Sequence, residues 1–180
     1  MATCLAICNR ALRLARIVAI GDEPSSSELD EAMTVLRSFY QRLADTALRP
    51  DSEVYETEDY TADEGERIYC TGTVTLPDLI EDGSERRVKD LASVQYKDET
   101  EDAWQTWISD KGDWVRIDDL EESDTAPLSD RNMDGLSCLV AMEVAGTFGS
   151  LADIDPITVK KAARFQSQMQ PRNDDPVEYY

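Results

Sequence analysis

At 180 residues the chain is long enough for one domain with a real core, or for one domain carrying an elaborate insertion. Hydrophobic residues at 41% and charged residues at 31% exclude a disordered chain, and no apolar run is long enough to span a bilayer. The net charge of −20 argues against a broad basic surface for gripping nucleic acid.

That charge is unevenly placed. Residues 1–50 carry 6 acids and 6 bases, residues 51–125 carry 24 and 7, and residues 126–180 carry 8 and 5. The middle therefore holds a net −17, against 0 and −3 on its flanks. That balance leaves room for a wall past which DNA slides without sticking. The four cysteines, Cys4, Cys8, Cys70 and Cys138, show no CxxC spacing, and there is no histidine. No metal site or cofactor is expected, and the thiols read as reduced small hydrophobes.

Residues 3 to about 18 read as a helix capped by Thr3. Leu5, Cys8, Leu12 and Ala15 form its apolar seam, widened by Leu14, Ile17 and Val18. Arg10, Arg13 and Arg16 interrupt it too often for a signal peptide. An Arg-bearing start can mimic a transit peptide, but the segment fits a helical bundle. The three arginines drift around one side. They are either a solvated face or a contact for phosphates or an acidic neighbouring subunit. Gly21-Asp22-Glu23-Pro24 breaks the helix. Ser25 with Glu28 makes a capping box, with Ser26 or Ser27 as alternative caps. Leu29, Ala32, Met33, Leu36, Phe39, Tyr40, Leu43 and Ala47 then carry a second helix to about Leu48. The pair reads as an antiparallel hairpin.

From Asp51 to Gly65 the chain reads as an acidic loop. Arg67–Leu76 alternates and is rich in Thr and Val, so it predicts one strand. Leu91–Tyr96 predicts another. Trp104–Ile108 and Trp114–Ile117 flank Asp110-Lys111-Gly112-Asp113, a hairpin signal. Trp104, Trp107 and Trp114 serve either as partner anchors or as glue for a small sheet. Asp118, Asp119, Glu121, Glu122 and Asp124 form a carboxylate cluster without the spacing of a calcium loop. A glycosidase-type acid pair is the enzymatic alternative there. A DNA-mimicking interaction module is another. No catalytic motif is present, so an enzyme is not expected.

Pro127 and Ser129 open the most apolar helix, which Gly149 closes. Met133, Leu136, Val140, Val144 and Phe148 fall on one stripe, and Leu139 and 141–145 widen it. Its expected place is the centre of a bundle. Asp155-Pro156 caps a last helix bearing Val159, Ala162, Ala163, Gln166 and Met169, with Lys160, Lys161 and Arg164 outside. PRNDDPVEYY is a docking tail tipped by Val177, Tyr179 and Tyr180. The expected fold is mainly α with a small antiparallel β insertion (α+β). Two antiparallel helix pairs, 1–50 and 126–170, form the bundle, 51–125 the insertion, and 171–180 the tail.

This order resembles the head-to-tail adaptor (connector) proteins of tailed bacteriophages. The likeness lies in ICNRALRLARIVAIGDEPSSSELDEAMTVLRSFYQRL, in RIYCTGTVTLP followed by RRVKDLASVQ, and in APLSDRNMDGLSCLVAMEVAGTFG. It implies a structural virion protein made in the host cytoplasm and placed at the head–tail junction. Adaptors form a ring, typically of twelve copies, under the portal protein, extend the DNA channel and seat the next tail component (nozzle, hub or head-completion protein). The resemblance puts Lys160, Lys161, Arg164, Val177, Tyr179 and Tyr180 on the portal side. It puts Trp104, Trp107 and Trp114 towards tail proteins or a neighbour. In such a ring Arg10, Arg13, Arg16, Arg37 and Arg42 would meet the acidic insert of the next subunit. No membrane contact and no sequence-specific DNA binding are implied.

Overall fold

The computed structural model describes residues 2–49, 52–78, 91–97, 103–109 and 113–169. Four helices, α1 (Cys4–Leu14), α2 (Ser26–Ala47), α3 (Met133–Phe148) and α4 (Pro156–Met169), pack beside seven described strands. Helix α3 lies at the centre, against α1, α2 and α4. Leu136, Val140 and Val144 are fully buried there, whereas Phe148 at its last turn is exposed.

Local chemistry sets the helix ends. The Thr3 hydroxyl accepts from the Ala6 amide, and the Ser25–Glu28 capping box is complete. The Asp155 carboxylate accepts from the Ile157 amide, so the acid caps α4 with Pro156 in its first turn. Gly149 takes the left-handed conformation that ends α3. The start of α3 differs from expectation. Ser129 is the N-cap of a 3-10 turn over Asp130–Asn132 that precedes the α-helix, but its hydroxyl caps no backbone amide and accepts instead from the Asn132 side-chain amide.

Helix α1 stops at Leu14, short of the expected Val18. Arg16 and Ile17 donate to the carbonyls of Arg13 and Leu12, a Schellman closure with Arg16 at φ 57°. A side chain in that region costs about 1–2 kcal/mol, and glycine avoids it. Arg16→Gly is therefore expected to raise stability by about 1 kcal/mol, less whatever chain entropy the glycine adds to the unfolded state. A urea midpoint shifted upwards at unchanged slope is the readout.

The β region overturns the expected small antiparallel insertion. A five-stranded mixed sheet has the order β1-β3-β5-β6-β7. Its strands are β1 (Glu53–Glu56), β3 (Arg67–Cys70), β5 (Ala92–Lys97), β6 (Gln105–Ser109) and β7 (Val115–Arg116). A separate pair joins β2 (Tyr60–Thr61) to β4 (Val74–Thr75). The expected acidic loop contains β1 and β2, and the expected strand Arg67–Leu76 divides at Gly72 between the two sheets. Only β5-β6-β7 is antiparallel. The turn between β6 and β7, at 110–112, lies outside the described residues.

Strands β1, β3 and β5 are parallel, and β1 to β4 form a coil of two stacked rungs on β5. Every residue of β1 and β2 pairs with the residue 14 positions on, from Glu53↔Arg67 to Thr61↔Thr75. The rungs are stitched between the strands as well. The Thr71 hydroxyl donates to the Thr57 carbonyl at 2.9 Å, and the Thr73 amide donates to the Asp59 carboxylate at 2.9 Å. Gly72 lets the backbones close, because a Cβ there would stand 2.5 Å from the Glu58 carbonyl carbon. This repeat is readable in the sequence: Val54-Tyr55-x-Thr57 and Tyr60-Thr61-Ala62 stand over Ile68-Tyr69-x-Thr71 and Val74-Thr75-Leu76.

One sheet face covers a small core of Ile68, Val94, Tyr96, Cys70 and Ala62. The other face meets α2, where Gln95 donates to Asp45 at 2.7 Å and Ile108 enters the main core. Residues 91–120 thus share the core of the bundle through Leu91, Ile108, Ile117 and Leu120.

Helix α4 also departs from expectation. Its seam is Thr158, Ala162 and Phe165, while Val159, Ala163 and Gln166 face out. Phe165 fills the space above Gly135 and lies 5.9 Å, centroid to centroid, from Phe39. The missing Cβ of Gly135 draws the helix around, so that the large ring points inwards.

Candidate functional site

Three features combine residues expected to be functional, beginning with the arginines. Asp134 on α3 pairs with Arg10 on α1 and, at 2.7 Å, with Lys161 on α4, tying three helices together. The hydrogen bond from Lys161 and the charge of Arg10 hold the Asp134 carboxyl below its ordinary range. Arg42 reaches Glu143 at 2.6 Å. Arg37 donates twice to the Leu120 carbonyl, at 2.9 and 2.6 Å. Arg10, Arg37, Arg42 and Lys161 therefore have partners inside the subunit. Arg13 donates at 3.5 Å to the Asp22 carbonyl, and Arg16 sits exposed on the bend after α1. Lys160 and Arg164 are exposed on the outer side of α4. Val177, Tyr179 and Tyr180 lie outside the described residues.

At the end of the bundle near Arg13 and Arg16, the two helix-hairpin bends meet. The Ser150 hydroxyl, just after α3, donates to the Ala15 carbonyl at 3.0 Å. Around these bends Ile20, Phe148, Leu151 and Ile157 expose their side chains to solvent. Apolar groups grouped in this way mark an interaction surface more often than scattered single residues do.

The tryptophans divide. Trp107 packs against the small core, and so does Trp114, whose indole donates to the Pro77 carbonyl at 2.9 Å. Both glue the sheet. Trp104 instead lies on the sheet face opposite the small core, edge-on to Tyr69 at 4.6 Å, with the Arg67 guanidinium 4.3 Å over its ring. Tyr69 is stacked in parallel on Tyr55 at 4.8 Å. Tyr55 and Tyr69 are the residues that strand and loop reasoning missed; the 14-residue repeat was their signal.

The carboxylate cluster serves the fold. The Asp124 and Glu122 carbonyls accept from the Cys4 and Leu5 amides, which opens α1. The Asp124 carboxylate accepts from the Glu121 amide and closes the turn. Asp118 accepts from the Thr106 amide at 2.6 Å; burial pushes its carboxyl up, against the pull of that bond and of Arg116. Among the described residues no group of His, Cys, Asp or Glu is arranged to hold a metal ion. Burial raises the Cys4 and Cys8 thiols to about 11 and about 12, so both stay protonated near neutral pH. No described helix is long and apolar enough to cross a membrane.

Neither protein-family models nor curated proteins match the chain.

Proposed function

We propose that this chain is a head-to-tail adaptor: a structural subunit that forms a ring under a phage portal, extends the DNA channel and seats the tail. One observation carries the reading, namely the two-ended character of the molecule. The bundle presents exposed apolar bends with Arg13 and Arg16 beside them, while the β unit is strongly acidic. A ring needs a heterologous contact that closes, one face of a subunit meeting a different face of the next. An apolar, arginine-edged end meeting an acidic unit satisfies that need. The proposed intersubunit role narrows to Arg13 and Arg16, because Arg10 and Arg42 pair with acids of the same subunit and Arg37 holds the Leu120 carbonyl at 2.6 Å, whereas Arg13 reaches the Asp22 carbonyl only at 3.5 Å. Lys160 and Arg164, exposed on α4, suit the portal side with the tail. The remaining acidity suits a channel wall that DNA passes without adhering.

Native mass spectrometry of the purified protein, alone and mixed with a portal ring from the same genome, tests the reading. The expected result is attachment to the portal in a fixed, ring-like ratio, lost when Arg13 and Arg16 are both replaced by glutamate. A protein that ignores the portal would overturn the proposal. Attachment unchanged by the charge reversal would remove the arginine contact from it.

A further inference from the structure

Among the described residues the two-rung coil is open at one end. Strand β1 is the first strand of its sheet, paired on one side to β3. In the ladder the Ser52 and Glu56 carbonyls accept from the Arg67 and Thr71 amides. The alternation of a parallel ladder then turns the amides and carbonyls of Glu53 and Tyr55 outwards. The ring of Tyr55 repeats the pattern. One face is stacked on Tyr69 with an interplanar angle of 1°, and the residue is 68% exposed. Among the described residues no ring stacks on its other face. Val54 likewise ends the row that runs from Tyr96 through Ile68. Backbone, aromatic row and aliphatic row all stop at one edge, where a further rung would continue them.

The charge of that edge decides what fits. The first rung, 53–66, carries Glu53, Glu56, Glu58, Asp59, Asp63, Glu64 and Glu66 and no base. A second copy would bring the same acids into register, and like charges directly opposite repel. The second rung places Arg67 beside Glu53. We propose that the open edge of the first rung receives an extended, basic segment of another protein, added in parallel as a further strand. Its aromatic side chain stacks on Tyr55, and its basic residues lie beside Glu53 and Glu56. The main chain supplies affinity, and the ring and the charges supply register. This inference stands independently of the adaptor reading.

The probe is a capped ten-residue peptide with the sequence of Arg67–Leu76, carrying lysine in place of Cys70. Laid in rung register, it sets Arg and Lys beside Glu53 and Glu56 and its Tyr on Tyr55. Titration into the full chain should give saturable binding at or below about 1 mM, with the Tyr55 amide newly protected from exchange. Tyr55→Ala should weaken it roughly three- to tenfold through the lost stack. Tyr55→Pro should abolish it while leaving the circular dichroism spectrum unchanged, because that amide makes no bond within the ladder. A scrambled peptide of the same composition that binds equally well would overturn the proposal, since charge alone would then suffice. So would binding indifferent to Tyr55→Pro, or a dimer of the free chain that Tyr55→Pro dissociates.

Discussion

Replacing Phe165 with alanine is expected to destabilise the protein by about 3–5 kcal/mol. The ring is 3% exposed and stands between α3, α4 and α2. It packs over the bare backbone at Gly135 and lies tilted against the Phe39 ring. Gly135, beneath the ring, has no side chain to rearrange into the space. The complementary change acts from the other side. A Cβ on Gly135 would lie 2.7–2.8 Å from three atoms of Phe165, including its own Cβ, so the two helices must separate. Gly135→Ala should therefore cost about 1–3 kcal/mol by overpacking, although alanine is the better helix former. Combining it with Phe165→Ala should recover part of the loss, because the added methyl group enters the cavity. Urea unfolding of the two single variants and the double variant measures that coupling.

Gly72→Ala is the second large effect, and it tests the stacked rungs. Gly72 is not held at positive φ, so its requirement is space rather than conformation. A Cβ there would stand 2.5, 2.6 and 2.7 Å from main-chain atoms of Glu58 and Asp59. Main chain cannot step aside as a side-chain tip can, so the rungs must part. The hydrogen bonds from Thr71 to Thr57 and from Thr73 to Asp59 part with them. The expected loss is about 1–3 kcal/mol, with faster exchange at the Tyr60 and Ala62 amides, which donate to the Thr73 and Thr75 carbonyls. The bundle amides should be unaffected below global unfolding. An unchanged melting temperature would show that the rungs are not in contact at Gly72.

The helices were largely legible because their signals are local. Thr3, the Ser25–Glu28 box, Asp155-Pro156 and Gly149 each state a helix end within four residues. Arg16 failed as a signal because a left-handed arginine looks like any other arginine, so α1 was extended too far. The seam of α4 was misplaced because Gly135, a residue of another helix, decides where Phe165 points. The sheet was the larger miss. Parallel pairing leaves no hairpin turn to read, and an edge rung tolerates the acids that made 51–65 look like a loop. Only comparison at a spacing of 14 residues exposes it. Charge counting along the chain found the acidic unit but not how the arginines are used. In the Arg10–Asp134–Lys161 tie, Arg10 and Asp134 stand 124 positions apart, and no spacing rule reaches that far.

Residue-resolved amide exchange across β1 tests the central element, the two-rung coil with an open edge, most directly. The coil predicts alternation: Val54 and Glu56, whose amides face β3, exchange slowly, while Glu53 and Tyr55, whose amides face solvent, exchange fast. Uniformly fast exchange through 53–56 would contradict the strand. Uniformly slow exchange would mean that the edge is already covered, and with it the open rung would be lost.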